Sequence, residues 1–304
     1  MTPTQADTLT RAYIKLLEKE NSKADKDINK AMIDTATILA GFYLWYPKVK
    51  GYTFRMDDRN ARLVFTQLRA KIKKILEIRT ANAVLLSSAK NKVLLGEVFK
   101  MPVFKTWLNR KLSDVTLSQR IWKYTNMYKM ELESRIAVAI VNGEPERTFT
   151  QSLIKFLKNP YDTLSVTDPK LWKARRLFMK YKPGTGVYKS SYANIKRLVR
   201  TELFSSYRKA DNIIWNLSDK VKGVLVYLNS AHPKEDICDY MVGIYPKSYL
   251  FLGFHSACIC LARPILEGEF IKRVPVGAKK YIDNLKLRGK NTKLQFWEGT
   301  KGFW

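Results

Sequence analysis

Every histidine and every cysteine of the chain falls between His232 and Cys260, in the order His232, Cys238, His255, Cys258, Cys260. Thiolate and imidazole are the donors zinc prefers, and four of them in a tetrahedron can fix the shape of a short loop that lacks a core of its own. Cys258 and Cys260 are two residues apart, so on an extended segment both thiols point to one side. His255 stands three residues before them, close enough to fold back. Cys238 then completes a Cys3His set from the far side of the loop, and His232 or Asp236 could replace one member. The first arm carries a single cysteine, with Met241 where a standard finger has the second of a Cys-x2-Cys pair. The rival reading is metal-free: Cys258 and Cys260 as small buried hydrophobes in a strand, His232 and His255 as ordinary loop residues.

Other chemistry is thinly supplied. Both histidines belong to this loop, no Ser-His-Asp or Cys-His order stands apart from it, and no spaced carboxylate cluster suggests a magnesium site. The glycines of Lys182-Pro-Gly-Thr-Gly186 are too few and wrongly spaced for a phosphate-binding loop. The chain therefore reads as a binding or structural protein rather than an enzyme. The enzymatic alternative is a metal-dependent nuclease with Asp236 or Asp239 as general base, and four protein ligands would leave such an ion no open position.

The charge balance points to a polyanion. With 55 Lys+Arg against 27 Asp+Glu, the formal net charge is +28 over 304 residues. Each phosphate neutralised by such a side chain releases condensed counterions, so nucleic acid is the expected partner. Between Asp168 and Glu202 there is no acid, yet Lys170, Lys173, Arg175, Arg176, Lys180, Lys182, Lys189, Lys196, Arg197 and Arg200 fall there. Trp172, Phe178, Tyr181, Tyr188 and Tyr192 are interleaved with them. Bases plus aromatics fit backbone-directed, salt-sensitive contact with double-stranded DNA and stacking on unpaired bases. A membrane is not the expected partner: the uncharged apolar stretch 35–46 is shorter than the about 20 apolar residues a spanning helix needs, and reads as a buried helix. The N-terminus lacks the apolar region of an export signal, and three bunched cysteines suit a reducing cytoplasm rather than a disulfide framework.

The elements that must position these residues are mainly helical. Residues 4–44 read as two helices broken near Asn21-Ser22, and from Arg59 a basic amphipathic helix follows, with a further helical stretch at 93–98. Residues 116–142 carry the best helical pattern, opened by a Thr116/Gln119 capping box and stopped by Gly143; Thr148 and Gln151 repeat the capping spacing before a shorter helix. Helix 193–217 leads into a buried strand at 221–228, and strands near 249–254 and 259–262 would complete a small antiparallel sheet. The expected fold is α+β, mainly α-helical. Its divisions are an N-terminal helical region (1–110), a domain of helices and small sheet carrying the Cys/His loop (111–265), and a basic tail (266–304) ending in Phe303-Trp304.

The order His232-Pro233, Asp236-Ile-Cys238-Asp239, Gly243, Tyr245-Pro246, then His255-x2-Cys258-x-Cys260 and Pro264 resembles the C-terminal domain of the Mu F-like phage head morphogenesis (minor capsid) proteins. Arg200-Thr201-Glu202 with Tyr207 and Ala210 is similar to that family's Arg-Thr-Glu helix. The resemblance covers about residues 110–265, with Met241 where many members have a second cysteine and Ser256 where many have proline. It implies a virion protein that acts in head morphogenesis, associated with the portal, assembled in the host cytoplasm and in contact with packaged DNA. Major capsid or scaffold proteins are further partners it suggests. For Arg200 and Glu202 it implies a fixed role joining their helix to the small sheet. A free-standing, zinc-stabilised DNA-binding protein is the alternative.

Overall fold

The computed structural model describes residues 2–44, 55–97, 105–111, 114–158, 160, 188, 190–232, 236–255 and 258–269. Its elements run α1 (Pro3–Tyr43), α2 (Arg59–Leu95), α3 (Lys105–Leu108), α4 (Leu117–Val141), α5 (Glu146–Lys158), α6 (Ser191–Leu217), β1 (Val221–Tyr227), α7 (Ile237–Met241), β2 (Gly243–Pro246) and β3 (Leu261–Leu266). The mainly helical α+β class is as expected. The chain divides into two compact units, one of residues 1–22, 77–114 and 198–304, the other of 23–76 and 115–197.

α1 corrects the expected break at Asn21-Ser22, because it is one uninterrupted helix of 41 residues. Its start is set by Pro3 in the first helical position and by Thr2, which exchanges bonds with Gln5: the Thr2 N–H donates to Gln5 Oε1 at 2.9 Å and Gln5 N–H to Thr2 Oγ1 at 3.3 Å. Through the polar stretch, Leu17, Ala24 and Ile28 are all fully buried, and that apolar stripe outweighs the few tenths of a kcal/mol per residue of weak propensity at asparagine and serine. α2 likewise absorbs the first half of the stretch expected as a separate helix at 93–98, running unbroken to Leu95.

In the unit of residues 23–76 and 115–197, Tyr128 is the anchor. It is fully buried, meets Phe65 edge to face at 6.4 Å, and donates its hydroxyl to the Met32 carbonyl at 2.7 Å. α4 opens on the expected Thr116/Gln119 capping box and closes at Gly143, whose φ of +61° supplies the left-handed residue the stop requires. α5 begins at Glu146, so Thr148 lies inside it rather than at its cap. Arg135 ties α4 to this corner through two 2.6 Å bonds to Glu144 and one of 2.8 Å to Ser152 Oγ.

In the other unit the three-stranded sheet has the order β2-β1-β3, antiparallel throughout. β1 is where the apolar run predicts it. The remaining strands differ from expectation: 243–246 pairs with β1, whereas 249–254 is irregular, and the last strand starts at Leu261 and runs to Leu266. The reason is packing. Tyr249, Phe251 and Phe254 are all buried with the three cysteines in one apolar cluster, which the alternation of a strand would not permit for Phe251 and Phe254 together. Gly253, at φ +113°, makes the turn between them.

Candidate metal centre

The sulfurs are delivered by two short segments. Cys238 lies in the first turn of α7, whose start is pinned by a capping box: Asp236 Oδ1 accepts from the Cys238 N–H at 2.6 Å, and Asp239 Oδ2 accepts from the Asp236 N–H at 2.7 Å. Cys258 and Cys260 sit on the approach to β3, and both are buried. All three are free thiols. Cys238 Sγ lies 3.8 Å from Cys258 Sγ, and His255 Nε2 lies 3.2 Å from Cys238 Sγ. Donor atoms of Cys238, His255 and Cys258 fall within 4.8 Å of one another, as do those of His232, Cys238 and Cys260. The five donors singled out in the sequence therefore converge, close enough to hold a metal ion.

Their spacing fits an ion of zinc's size. With metal–sulfur bonds of about 2.3 Å, the edge of a tetrahedron between two sulfurs is ~3.8 Å, and a sulfur–imidazole edge is ~3.6 Å. The Cys238–Cys258 separation matches the first, and the His255–Cys238 separation is a few tenths shorter than the second. A buried nitrogen adds to the fit: His232 Nδ1 has no hydrogen-bond partner among the described residues. Met241, 3% exposed, is packed in the apolar cluster and adds no strong donor, so a fourth ligand beside the three thiols comes from a histidine or from Asp236.

The three thiols hold their protons unequally, Cys238 and Cys260 more tightly and Cys258 less tightly than a free thiol. Hydrogen bonds from the Cys238 and Cys260 thiols, with the charge of Arg208 nearby, hold Cys258 well below the usual thiol range. The same sharing pushes Cys238 up, since one proton serves both sulfurs. Asp239 is held below the usual carboxylate range, first by the Asp236 N–H and then by His232.

Arg208 is the residue sequence reasoning missed. From α6 it reaches the cysteine segment, Nη1 donating to the Leu252 carbonyl at 2.9 Å and Nη2 to the Cys258 and Cys260 carbonyls at 2.8 and 2.9 Å. Asn212, one turn on, donates to the Tyr249 carbonyl at 3.0 Å. These two contacts tie α6 to the cysteine segment about two to three turns beyond Arg200 and Glu202. Glu202 itself is fully buried and paired with Arg110 at 3.0 Å, and Arg200 lies over the Phe204 ring at 5.1 Å. The clue available in the sequence was arginine and asparagine at four-residue spacing on the apolar side of α6, where neither has reason to be unless it caps carbonyls.

Of the basic field, Lys170, Lys173, Arg175, Arg176, Lys180, Lys182 and Lys189 lie outside the described residues. Lys196 is paired with Asp25 at 2.8 Å and sits over the Tyr192 ring, and Arg197 lies over the Tyr188 ring at 5.0 Å. On α2, Arg69 is engaged with Thr125 and Arg79 with Glu20. No described helix is long and apolar enough to cross a membrane. Compared with family models, curated proteins and solved structures, the chain finds no match in any of the three.

Proposed function

We propose that this chain is a minor head protein of the Mu F-like kind, a non-enzymatic virion component that associates with the portal and grips packaged double-stranded DNA through backbone contacts. One observation carries the reading: the residues that carry the resemblance, His232, Asp236, Cys238, Asp239, His255, Cys258 and Cys260, are the ones that converge on one donor cluster. In this reading zinc is the resident ion, because three thiols and an imidazole are its preferred donors. Its part is structural: it would cross-link α7 to the approach of β3, while Arg208 fixes that approach to α6.

DNA contact is supported by the net charge of +28 and by the acid-free stretch from 169 to 201. Counterion release makes such binding strong and insensitive to sequence. Replacing Lys173, Arg175, Arg176 and Lys180 together with glutamine should weaken binding to random duplex DNA and lower the slope of log affinity against log salt by up to ~3.6. Unchanged affinity would mean that this stretch faces a protein instead. Purified particles should contain the chain at low copy together with the portal protein. Its absence from particles would favour a free-standing DNA-binding protein, and metal-dependent cleavage of plasmid would overturn the non-enzymatic assignment.

A further inference from the structure

The two histidines are not equivalent. His255 is 38% exposed at its side chain, and one nitrogen, Nε2, faces both Cys238 Sγ at 3.2 Å and Asp236 Oδ2 at 3.3 Å. His232 is 7% exposed and divides its two nitrogens between two environments. Its Nε2 lies 3.0 Å from Asp239 Oδ2 and 3.4 Å from Asp236 Oδ1. Its Nδ1 is buried and has no hydrogen-bond partner among the described residues.

An ionised carboxylate only accepts hydrogen bonds, so the proton of a neutral His232 ring belongs on Nε2 and its lone pair on Nδ1. A buried lone pair left unmatched is costly, and the arrangement is tolerable if something electrophilic meets it. A ring nitrogen of His232 falls within 4.8 Å of the sulfurs of Cys238 and Cys260. A carboxylate holding one imidazole nitrogen while the other is offered to an ion is the usual way a ligating histidine is oriented. Asp239 is itself immobilised, because the same oxygen accepts the Asp236 N–H at 2.7 Å.

We propose that His232, through Nδ1, is the histidine that completes the Cys238, Cys258, Cys260 site, that Asp239 is its positioning residue, and that His255 is not a resident ligand. This rests on the reading that the cluster holds an ion, and it reverses the expectation from spacing, which placed His255 in the set. The chain distance explains why spacing misleads. His255 is three residues from Cys258, whereas His232 reaches the cluster through the 229–232 turn, where its N–H bonds the Asn229 carbonyl at 2.9 Å.

The chain has only two histidines, so protein labelled with 15N at histidine gives two imidazole spectra. Loaded with 113Cd alone, the wild type should show cadmium coupling at the Nδ1 of one ring, which keeps its Nε2 proton, and none on the other ring. Coupling at an Nε2 would overturn the assignment without any variant having to fold. Among variants, H255Q should hold cadmium within about threefold of the wild type, and D239N should bind 10–100-fold more weakly. H232Q should lose the coupling and bind at least as weakly as D239N. Loss in H255Q with retention in H232Q would also overturn it. A wild type that binds no cadmium would instead remove the metal reading beneath it, so the two failures are told apart.

Discussion

Arg208 and Cys258 are joined across the molecule's small apolar cluster, the arginine donating to the cysteine's backbone carbonyl at 2.8 Å rather than to its sulfur. The distinction matters. A guanidinium bonded to the carbonyls of Leu252, Cys258 and Cys260 holds the backbone of the ligand segment in place without occupying its thiols. Gly253 makes room for it, since a Cβ there would lie 2.6 Å from Arg208 Nη1.

Arg208→Met should therefore act on both stability and ion affinity. Losing charged hydrogen bonds to buried carbonyls costs about 1.5–3 kcal/mol for each carbonyl left unmatched. We expect the melting temperature to fall by several degrees and cadmium binding to weaken at least tenfold. Calorimetry and titration on the same preparation check it; a stable variant with unchanged affinity would show that the carbonyls find other partners.

Lys90 and Asp211 form a second buried relationship, in the unit that also holds the sheet. The ammonium meets Asp211 Oδ2 at 2.5 Å with neither side chain appreciably exposed, while Ser87 and Asn91 donate to the other oxygen at 2.6 and 2.7 Å. Burial depresses the lysine and raises the aspartate, and each offsets part of the other's shift. Lys90→Met leaves a buried carboxylate without its cation and should cost about 3–5 kcal/mol, whereas Lys90→Met with Asp211→Leu should recover much of that loss. Denaturant unfolding of the two variants decides it; equal destabilisation would contradict the pairing argument.

Glu131 gives a pH dependence with a definite sign. Its carboxylate is buried between α4 and the start of α6, accepting the Ser191 N–H at 2.8 Å and its hydroxyl, and burial pushes it up to about 8 from 4.5. Between those two values the folded chain holds a proton that the unfolded chain has released, so this group's contribution to stability falls as pH rises through the window. Glu131→Gln, which keeps an oxygen acceptor and cannot ionise, should flatten the change in melting temperature between about pH 5 and about pH 8. An identical pH profile for variant and wild type would contradict it.

Much of the fold was legible because local and tertiary signals agreed. α4 has its cap, stripe and glycine stop in the sequence, and β1 has an apolar run that nothing else competes for. Asn21-Ser22 misled because a weak local preference was weighed without the burial of Leu17 and Ala24 on either side. Residues 249–254 misled because aromatic density reads as strand, whereas their job is to wrap the cysteines. The donors were legible as a cluster, since no other segment contains such residues. That Arg208 holds the segment depended on hydrogen bonds between residues far apart in the chain, on which spacing is silent.

The most direct test of the metal centre is the metal content and thermal stability of the wild-type chain, purified without chelator and then treated with one. About one equivalent of zinc per chain is expected, with a melting temperature that falls sharply when the ion is stripped. Less than about a tenth of an equivalent, together with a melting curve indifferent to chelator, would contradict it and leave the cysteines as a dry apolar cluster.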